Sequence, residues 1–333
     1  MTAEGLERGW QEAVISVRDL DRWIETAEVA LGWGLMHRGP LGSDQIAAWG
    51  LPNTTAGDEA LFRCGDEPQG FVRFAALRNV AQQRVRAGCM SWDTGGVFSL
   101  MVRSRDAAGV ARAVLDRGWT TVTEPATFDY NGQMLTNVIL RGPDGVCFGV
   151  YERVKPLLPG WSHIKRISQP FNAMQMVRSR DVTRDFHRDV LGFGAYVDDD
   201  TRPATPQPSN FGIPRNITTQ IVTRAAIMHP QAQQGVAERS NGRVELIQWD
   251  GLEGQDMASR AVMPNLGIMI LRWPTPDASA LAAVLTGRGA TLYRAPASVT
   301  IAPYGTVTVF AVRTPDGVIY EFFTAPRSGT SSQ

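Results

Sequence analysis

The sequence predicts an α+β fold: four βαβββ modules arranged as two tandem domains. Three features carry that prediction. The string MVRSRD occurs twice, at 101–106 and 176–181, each time ending an alternating apolar run that reads as a strand. Each copy is followed by a stretch of helical periodicity, AAGVARAVLDRG in the first and VTRDFHRDVLGFG in the second. The closing segments repeat as well. GPDGVCFGVYE (142–152) matches TPDGVIYEFF (314–323), with Pro-Asp-Gly as a turn and an alternating strand behind it. Repetition of this kind marks duplicated supersecondary units, and it governs every later assignment.

Taken in order, the first module opens at Val14 with VISVRDLDRWIETAEVALGWG, a strand followed by a helix. It closes on GFVRFAAL (70–77). Residues 80–96 link it to the second module, which opens on the first MVRSRD and closes on GPDGVCFGVYE. The third opens on the second MVRSRD and closes on GRVELIQW (242–249), a relative of GFVRFAAL. The fourth opens at Asn265 with NLGIMILRWPTPDASALAAVLTGRG and closes on TPDGVIYEFF. Modules one and three share a helix end of Leu-Gly-aromatic-Gly; two and four share Arg-Gly and the PDGV turn. The order is therefore A, B, A′, B′, a duplicated pair. The first domain is placed at 8–155, a Pro-containing linker at 156–170, the second domain at 171–325 and a disordered tail at 326–333. The Pro-rich stretch 202–214 reads as a loop inserted in the third module.

The composition is that of an ordinary globular chain: of 333 residues, 43% are hydrophobic and 20% charged, enough for sizeable cores. Lys+Arg and Asp+Glu are both 33, so no global field gathers nucleic acid or anionic membrane. The expected partner is a small molecule, with the chain a monomer or homodimer. The three cysteines (Cys64, Cys89, Cys147) form no CxxC pair, which argues against a disulfide framework or a zinc site. The N-terminus has no apolar core of a secretory signal and no run reaches transmembrane length, so the expected location is the cytoplasm.

The openings VRDLDRWIETAEVALGW and VRSRDVTRDFHRDVLGFG, with the closings PDGVCFGVYE and PDGVIYEFF, resemble the vicinal-oxygen-chelate superfamily, over nearly the whole chain. That group includes glyoxalase I, extradiol dioxygenases and bleomycin-resistance proteins. The resemblance implies that paired modules close their sheets into cups, with metal ligands on the first and last strand of each module. Carried onto this chain, those positions are Glu12, Arg73, Val97 and Gly149 for a first cup of modules one and two. A second cup of modules three and four takes Asn172, Glu245, Asn265 and Glu321. The first set cannot hold a cation, and Glu12 facing Arg73 suggests a structural ion pair. The second set offers two carboxylates and two amides. Such oxygen ligands suit Mg²⁺, Mn²⁺ or Ca²⁺ rather than Zn²⁺ or Fe²⁺. Without metal, paired carboxylates can serve as general base and general acid.

The expected function is therefore that of a glyoxalase-like enzyme, a lyase or isomerase. It acts on a small, partly apolar organic molecule, with or without a divalent metal. Glu245 and Glu321 are the expected catalytic residues and candidate metal ligands, with Asn172 and Asn265 as weaker ligands. Asn172, Asn265, Tyr304 and Met174 are the expected substrate contacts. Each residue has a plainer reading. A one-residue change of register would leave the glutamates solvated, the asparagines could be strand-start turn residues, and Tyr304 and Met174 could simply pack. His187 reads as a packing or exposed helix residue. Two alternatives stand beside the enzyme: a metal-free sequestering protein of the resistance type, which has no need of a carboxylate pair, and an extradiol-type dioxygenase. The dioxygenase reading calls for histidines that are absent from the ligand positions.

Overall fold

A computed structural model describes residues 6, 8–130, 132–158, 161, 163–232 and 241–324. The expected tail, 326–333, lies outside the described residues, as does the side chain of Tyr130. The first module runs β1 (Glu12–Val17), α1 (Leu20–Glu25), β2 (Gly34–Pro40), α2 (Ser43–Ala48), β3 (Ala56–Arg63) and β4 (Phe71–Arg78). The second runs β5 (Val97–Ser104), α3 (Ala107–Leu115), β6 (Thr120–Thr121), β7 (Ala126–Tyr130), β8 (Gln133–Arg141) and β9 (Cys147–Lys155). The third has β10 (Asn172–Met176), α4 (Arg180–Asp185), β11 (Gly194–Thr201), β12 (Val222–His229) and β13 (Arg243–Asp250). The fourth has β14 (Gly267–Thr275), α5 (Ala278–Gly287), β15 (Leu292–Ile301), β16 (Gly305–Arg313) and β17 (Ile319–Thr324). Among the described residues no helix is long and apolar enough to cross a membrane.

The repeated motifs have a physical reason. At each strand-to-helix corner a short polar side chain caps the helix. Asp19 accepts from the Arg22 amide, Asp106 from Gly109, Ser179 from Val182 and Asp277 from Ala280. The Pro-Asp-Gly turns do more than reverse the chain. Asp144 accepts from the Arg18 amide (3.0 Å) and Trp23 Nε1 (3.2 Å), fastening module two to the corner of module one. Asp316 accepts from the Arg178 amide (2.9 Å) and from the Thr183 hydroxyl, doing the same for modules four and three. Gly145 and Gly317 sit behind these aspartates at φ 77° and 82°, where a side chain would be strained.

Each tandem pair is also joined through its helical side. Trp23 packs on Phe74 and Trp119 at centroid distances of 4.8 and 5.4 Å, and Trp33 on Phe148 at 5.7 Å. In the second pair Phe193 meets Trp273 at 5.1 Å, and Trp273 meets Tyr320 at 5.3 Å. His187 belongs to this core. It is buried, with Nδ1 at 2.7 Å from the Thr183 carbonyl and Nε2 at 2.8 Å from the Tyr320 hydroxyl, and burial holds its pKa down at about 4.

The sheets follow a different pairing. One has the order β15-β16-β17-β14-β1-β4-β3-β2, and the other β11-β12-β13-β10-β5-β9-β8-β6, with β7 on β8. The joining contacts are β1 with β14 and β10 with β5, both antiparallel. The sequence does not decide whether the pairs close separately or exchange modules, and the cups written for tandem pairs are corrected: one cup combines modules one and four, the other modules two and three. The tandem pairs share helical cores, while each sheet crosses from one pair to the other.

Candidate functional site

The strand register fixes what faces into each cup. In the cup of modules one and four, Glu12 pairs with Arg272, Arg272 with Glu321, and Val14 with Arg73. These residues form a buried ionic cluster. Arg73 donates to both Glu12 oxygens (2.7 and 3.0 Å) and to Glu59 (2.7 Å). Arg272 bridges Glu12 (2.7 Å) and Glu321 (2.8 Å). The Tyr304 hydroxyl donates to Glu12 (2.7 Å), and Trp49 Nε1 donates to Glu321 (3.1 Å). Burial alone would raise the Glu12 pKa, but the adjacent Arg73 and Arg272 charges overcome it and hold the carboxyl at about 2. Helix α2 and the following Trp49 close this cup, with Leu41, Ile46 and Trp49 packed on Val14, Ile270 and Ile319.

The internal ion pair expected from Glu12 and Arg73 is thus present, but the cup's other occupants differ from expectation. Glu321 belongs here, not beside Glu245, and it is taken up by Arg272 and Trp49. Tyr304 is also here, bonded to Glu12. Arg272, not Asn265, holds the fourth module's inward position. Asn265 lies before β14, accepting from the Gln83 amide and donating to the Arg260 carbonyl. It is a loop residue, as its plainer reading had it.

The cup of modules two and three is open. A cavity of about 510 Å³ lies over β13, β10, β5 and β9. Its floor is apolar: Met101, Met174, Met176 and Ile247 pack together, which makes Met174 a core residue under the floor. At the four family positions stand Asn172, Glu245, Met101 and Gly149, with Asn172 opposite Met101 and Met101 opposite Gly149. Met101 replaces the expected Val97. Its thioether fills the space left by Gly149, where a Cβ would lie 2.3 Å from the Met101 methyl. The inserted stretch 202–214 reaches across to module two. Asn210 donates to Asn137 (2.9 Å) and Phe211 packs on Trp249 at 5.0 Å.

Glu245 and Asn172 are the polar feature of this floor. Asn172 Nδ2 donates to Glu245 Oε2 at 2.7 Å. Asn172 is only 3% exposed, and its Oδ1 has no hydrogen-bond partner among the described residues. Glu245 is enclosed by protein except toward the cavity. Burial pushes its pKa up to about 7, against the smaller opposing effects of the Asn172 hydrogen bond and the Arg243 charge. The carboxyl is therefore poised to gain or lose a proton near neutrality.

The surrounding arginines were not foreseen as site residues. Arg103, Arg153 and Arg243 line the cavity. Arg243 stacks on the Tyr196 ring at 4.4 Å and Arg103 on Phe171 at 4.5 Å. Alternation contained the signal, since Arg243 lies two residues before Glu245 and Arg103 two after Met101.

Among the described residues neither cup brings together a ligand set for a divalent cation. Glu245 and Glu321, expected to share one, lie on different sheets. In one cup guanidinium groups occupy the carboxylates; in the other a single carboxylate stands with Asn172, Met101 and Gly149. Among the described residues no group of three or more His, Cys, Asp or Glu is placed to hold a metal ion.

No family model and no curated protein sequence matches the chain. Solved structures do. Glyoxalase I from Zea mays aligns with TM-score 0.60 and 15% identity over 95% of this chain and 92% of that one. A mutant of that enzyme gives 0.61 and 16% over 95% and 93%. A candidate dioxygenase from Bacillus subtilis subsp. subtilis str. 168 gives 0.58 and 12% over 97% and 87%. Together with the four modules and the two curled sheets, these likenesses establish that the chain has the fold of the vicinal-oxygen-chelate superfamily.

Proposed function

We propose that the chain is a glyoxalase-like enzyme that carries out proton-transfer chemistry, as an isomerase or lyase, on a small, partly apolar molecule in the cup of modules two and three. The observation that carries this reading is the Glu245–Asn172 pair on the floor of the cavity, with the carboxyl at about 7. Fold likeness to glyoxalase I is consistent with it but names no reaction. In its ionised form Glu245 removes a proton from an acidic C–H. The electron pair left on carbon moves into an adjacent carbonyl, whose developing charge faces the arginine-lined wall. In an α-hydroxy ketone the hydroxyl proton passes to the enolate oxygen and Glu245 returns the first proton to the former carbonyl carbon, so that the carbonyl and hydroxyl exchange places; where the β-carbon carries a leaving group, the enolate electron pair expels it and completes an elimination. Asn172, which also lines the cavity, holds Glu245 in place. Glu321, buried in the other cup, takes no part.

The test is deuterium incorporation from D₂O into a panel of aryl-alkyl ketones, followed by NMR. Wild type should catalyse exchange into at least one, and Glu245→Gln should lower that rate by about 10²–10⁴-fold, the usual contribution of a positioned base. The wild-type rate should climb as pH rises through 7. Equal exchange by both proteins rules the mechanism out. The aromatic walls would also suit a sequestering protein, which would bind such probes saturably, exchange nothing and be unaffected by Glu245→Gln. The ring-cleaving alternative has no ligands to draw on, since none of the four histidines lines this cavity.

A further inference from the structure

The same cup carries a more specific message about its ligand. Strand β10 is flanked by β13 on one side and β5 on the other. Asn172 on β10 pairs with Arg243 on β13 and with Met101 on β5, and Arg103 follows Met101 by two residues on the same face. With neighbouring strands about 4.8 Å apart and Arg103 two residues, about 7 Å, further along β5, the two arginine backbones stand roughly 12 Å apart on either side of β10. That gap is suited to an anion held between two long side chains. Each guanidinium is stacked on an aromatic ring, which fixes its plane. An arginine has five N–H donors, so one engaged elsewhere still has donors for a carboxylate. Asn172, which lines the cavity, supplies an independent requirement: its Oδ1 is buried with no partner among the described residues, a deficit that a ligand donor makes good when the side chain turns to meet it. The walls, with Phe128, Tyr196 and Phe211, favour an aromatic body.

We propose that the cup takes an aryl carboxylate, its carboxylate lying between Arg103 and Arg243 and a hydroxyl or N–H of the same molecule meeting Asn172 Oδ1. This rests on the reading of the cup as the ligand site and goes beyond it in naming a chemical class. Glu245 does not oppose an incoming anion when it is protonated, so binding near pH 7 draws a proton onto it.

Titration calorimetry with 3-phenyllactate, its methyl ester and 3-phenylpropanoate tests the assignment. Phenyllactate should bind at least tenfold more tightly than the ester, which lacks the charge, and severalfold more tightly than phenylpropanoate, which lacks the hydroxyl. Arg103→Gln and Arg243→Gln should each weaken the acid tenfold or more and leave the ester unchanged, which also shows that the variants are folded. Asn172→Ala should abolish the preference for the hydroxyl. Proton uptake, read from the buffer dependence of the heat at pH 7, should vanish in Glu245→Gln. Equal affinity for acid and ester overturns the anion assignment and leaves the cup as a ligand site. No saturable binding of either at millimolar concentration removes both.

Discussion

Replacing Glu245 by glutamine should stabilise the protein, and increasingly so as the pH rises. The folded state holds this carboxyl at about 7, whereas the unfolded chain has it near the ordinary glutamate value of 4.5. Between those values the folded state binds the extra proton. Stability from this group is therefore fully present below pH 4.5 and is lost as pH rises toward and through 7. With 1.36 kcal/mol per pKa unit, the cost of ionising Glu245 in place approaches about 3 kcal/mol by pH 8 and is under about 1 kcal/mol at pH 5. Glutamine keeps the shape and can still accept from Asn172 Nδ2, but it does not titrate. Chemical denaturation of both proteins at pH 5, 6, 7 and 8 isolates the difference. The variant should gain about 2–3 kcal/mol on wild type between pH 5 and pH 8. A difference independent of pH would refute the buried, proton-holding environment on which the catalytic role depends. So would a variant that loses ground as pH rises.

The ionic cluster of the other cup should behave in the opposite sense. Glu12 is held at about 2, so its contribution is present above the unfolded value of 4.5 and is lost as pH falls toward 2, an effect of about 3 kcal/mol that acid denaturation of Glu12→Gln should lack. Arg272→Met takes away the guanidinium bound to Glu321 and one of the two bound to Glu12 and should cost about 3–5 kcal/mol in denaturant, much of it recovered in the double variant Arg272→Met/Glu321→Leu. Trp49→Ala removes both the plug and the donor to Glu321. It should lower stability by about 3–5 kcal/mol without affecting deuterium exchange in the other cup.

The modules were legible because their grammar is local. Helix caps, Pro-Asp-Gly turns and two-residue alternation act within a few residues, and each left a repeated string. Cup membership was not legible because it is set by contacts such as that of Glu12 with Arg272, 260 positions apart. The ligand positions failed in modules two and four for a related reason. Glu12 and Asn172 stand seven residues before their helix caps, Asp19 and Ser179. Met101 and Arg272 stand five before theirs, Asp106 and Asp277. The register shifts within β1 and β10 accompany that difference. An offset of five residues before the Val of the V-R motif lands on Glu12 and Asn172 but on Val97 in module two, and the place equated with it in module four is Asn265, not Arg272. The correspondences anchored on module ends, Arg73 with Glu245 and Gly149 with Glu321, needed no such offset and agree with the structure.

The exchanged pairing also gives the asymmetry between the cups a physical basis. Each cup takes one A-type module, and each A-type module carries an insertion between its second and third core strands. In module one the insertion includes α2 and Trp49, which enter the cup and bond to Glu321. In module three it is the stretch 202–214, which reaches Asn137 and Trp249 at the side and leaves the floor uncovered. The polar groups beneath follow suit. Where the plug excludes a ligand, carboxylates and guanidiniums engage one another, and Glu12 alone accepts four hydrogen bonds. Where the floor is open, a half-buried carboxyl sits near neutrality beside an amide oxygen with no partner among the described residues. A network that completes itself favours one folded arrangement, whereas one left incomplete costs stability unless something else completes it. That contrast, within two cups built from the same modules, is what favours the cup of modules two and three for the proposed chemistry.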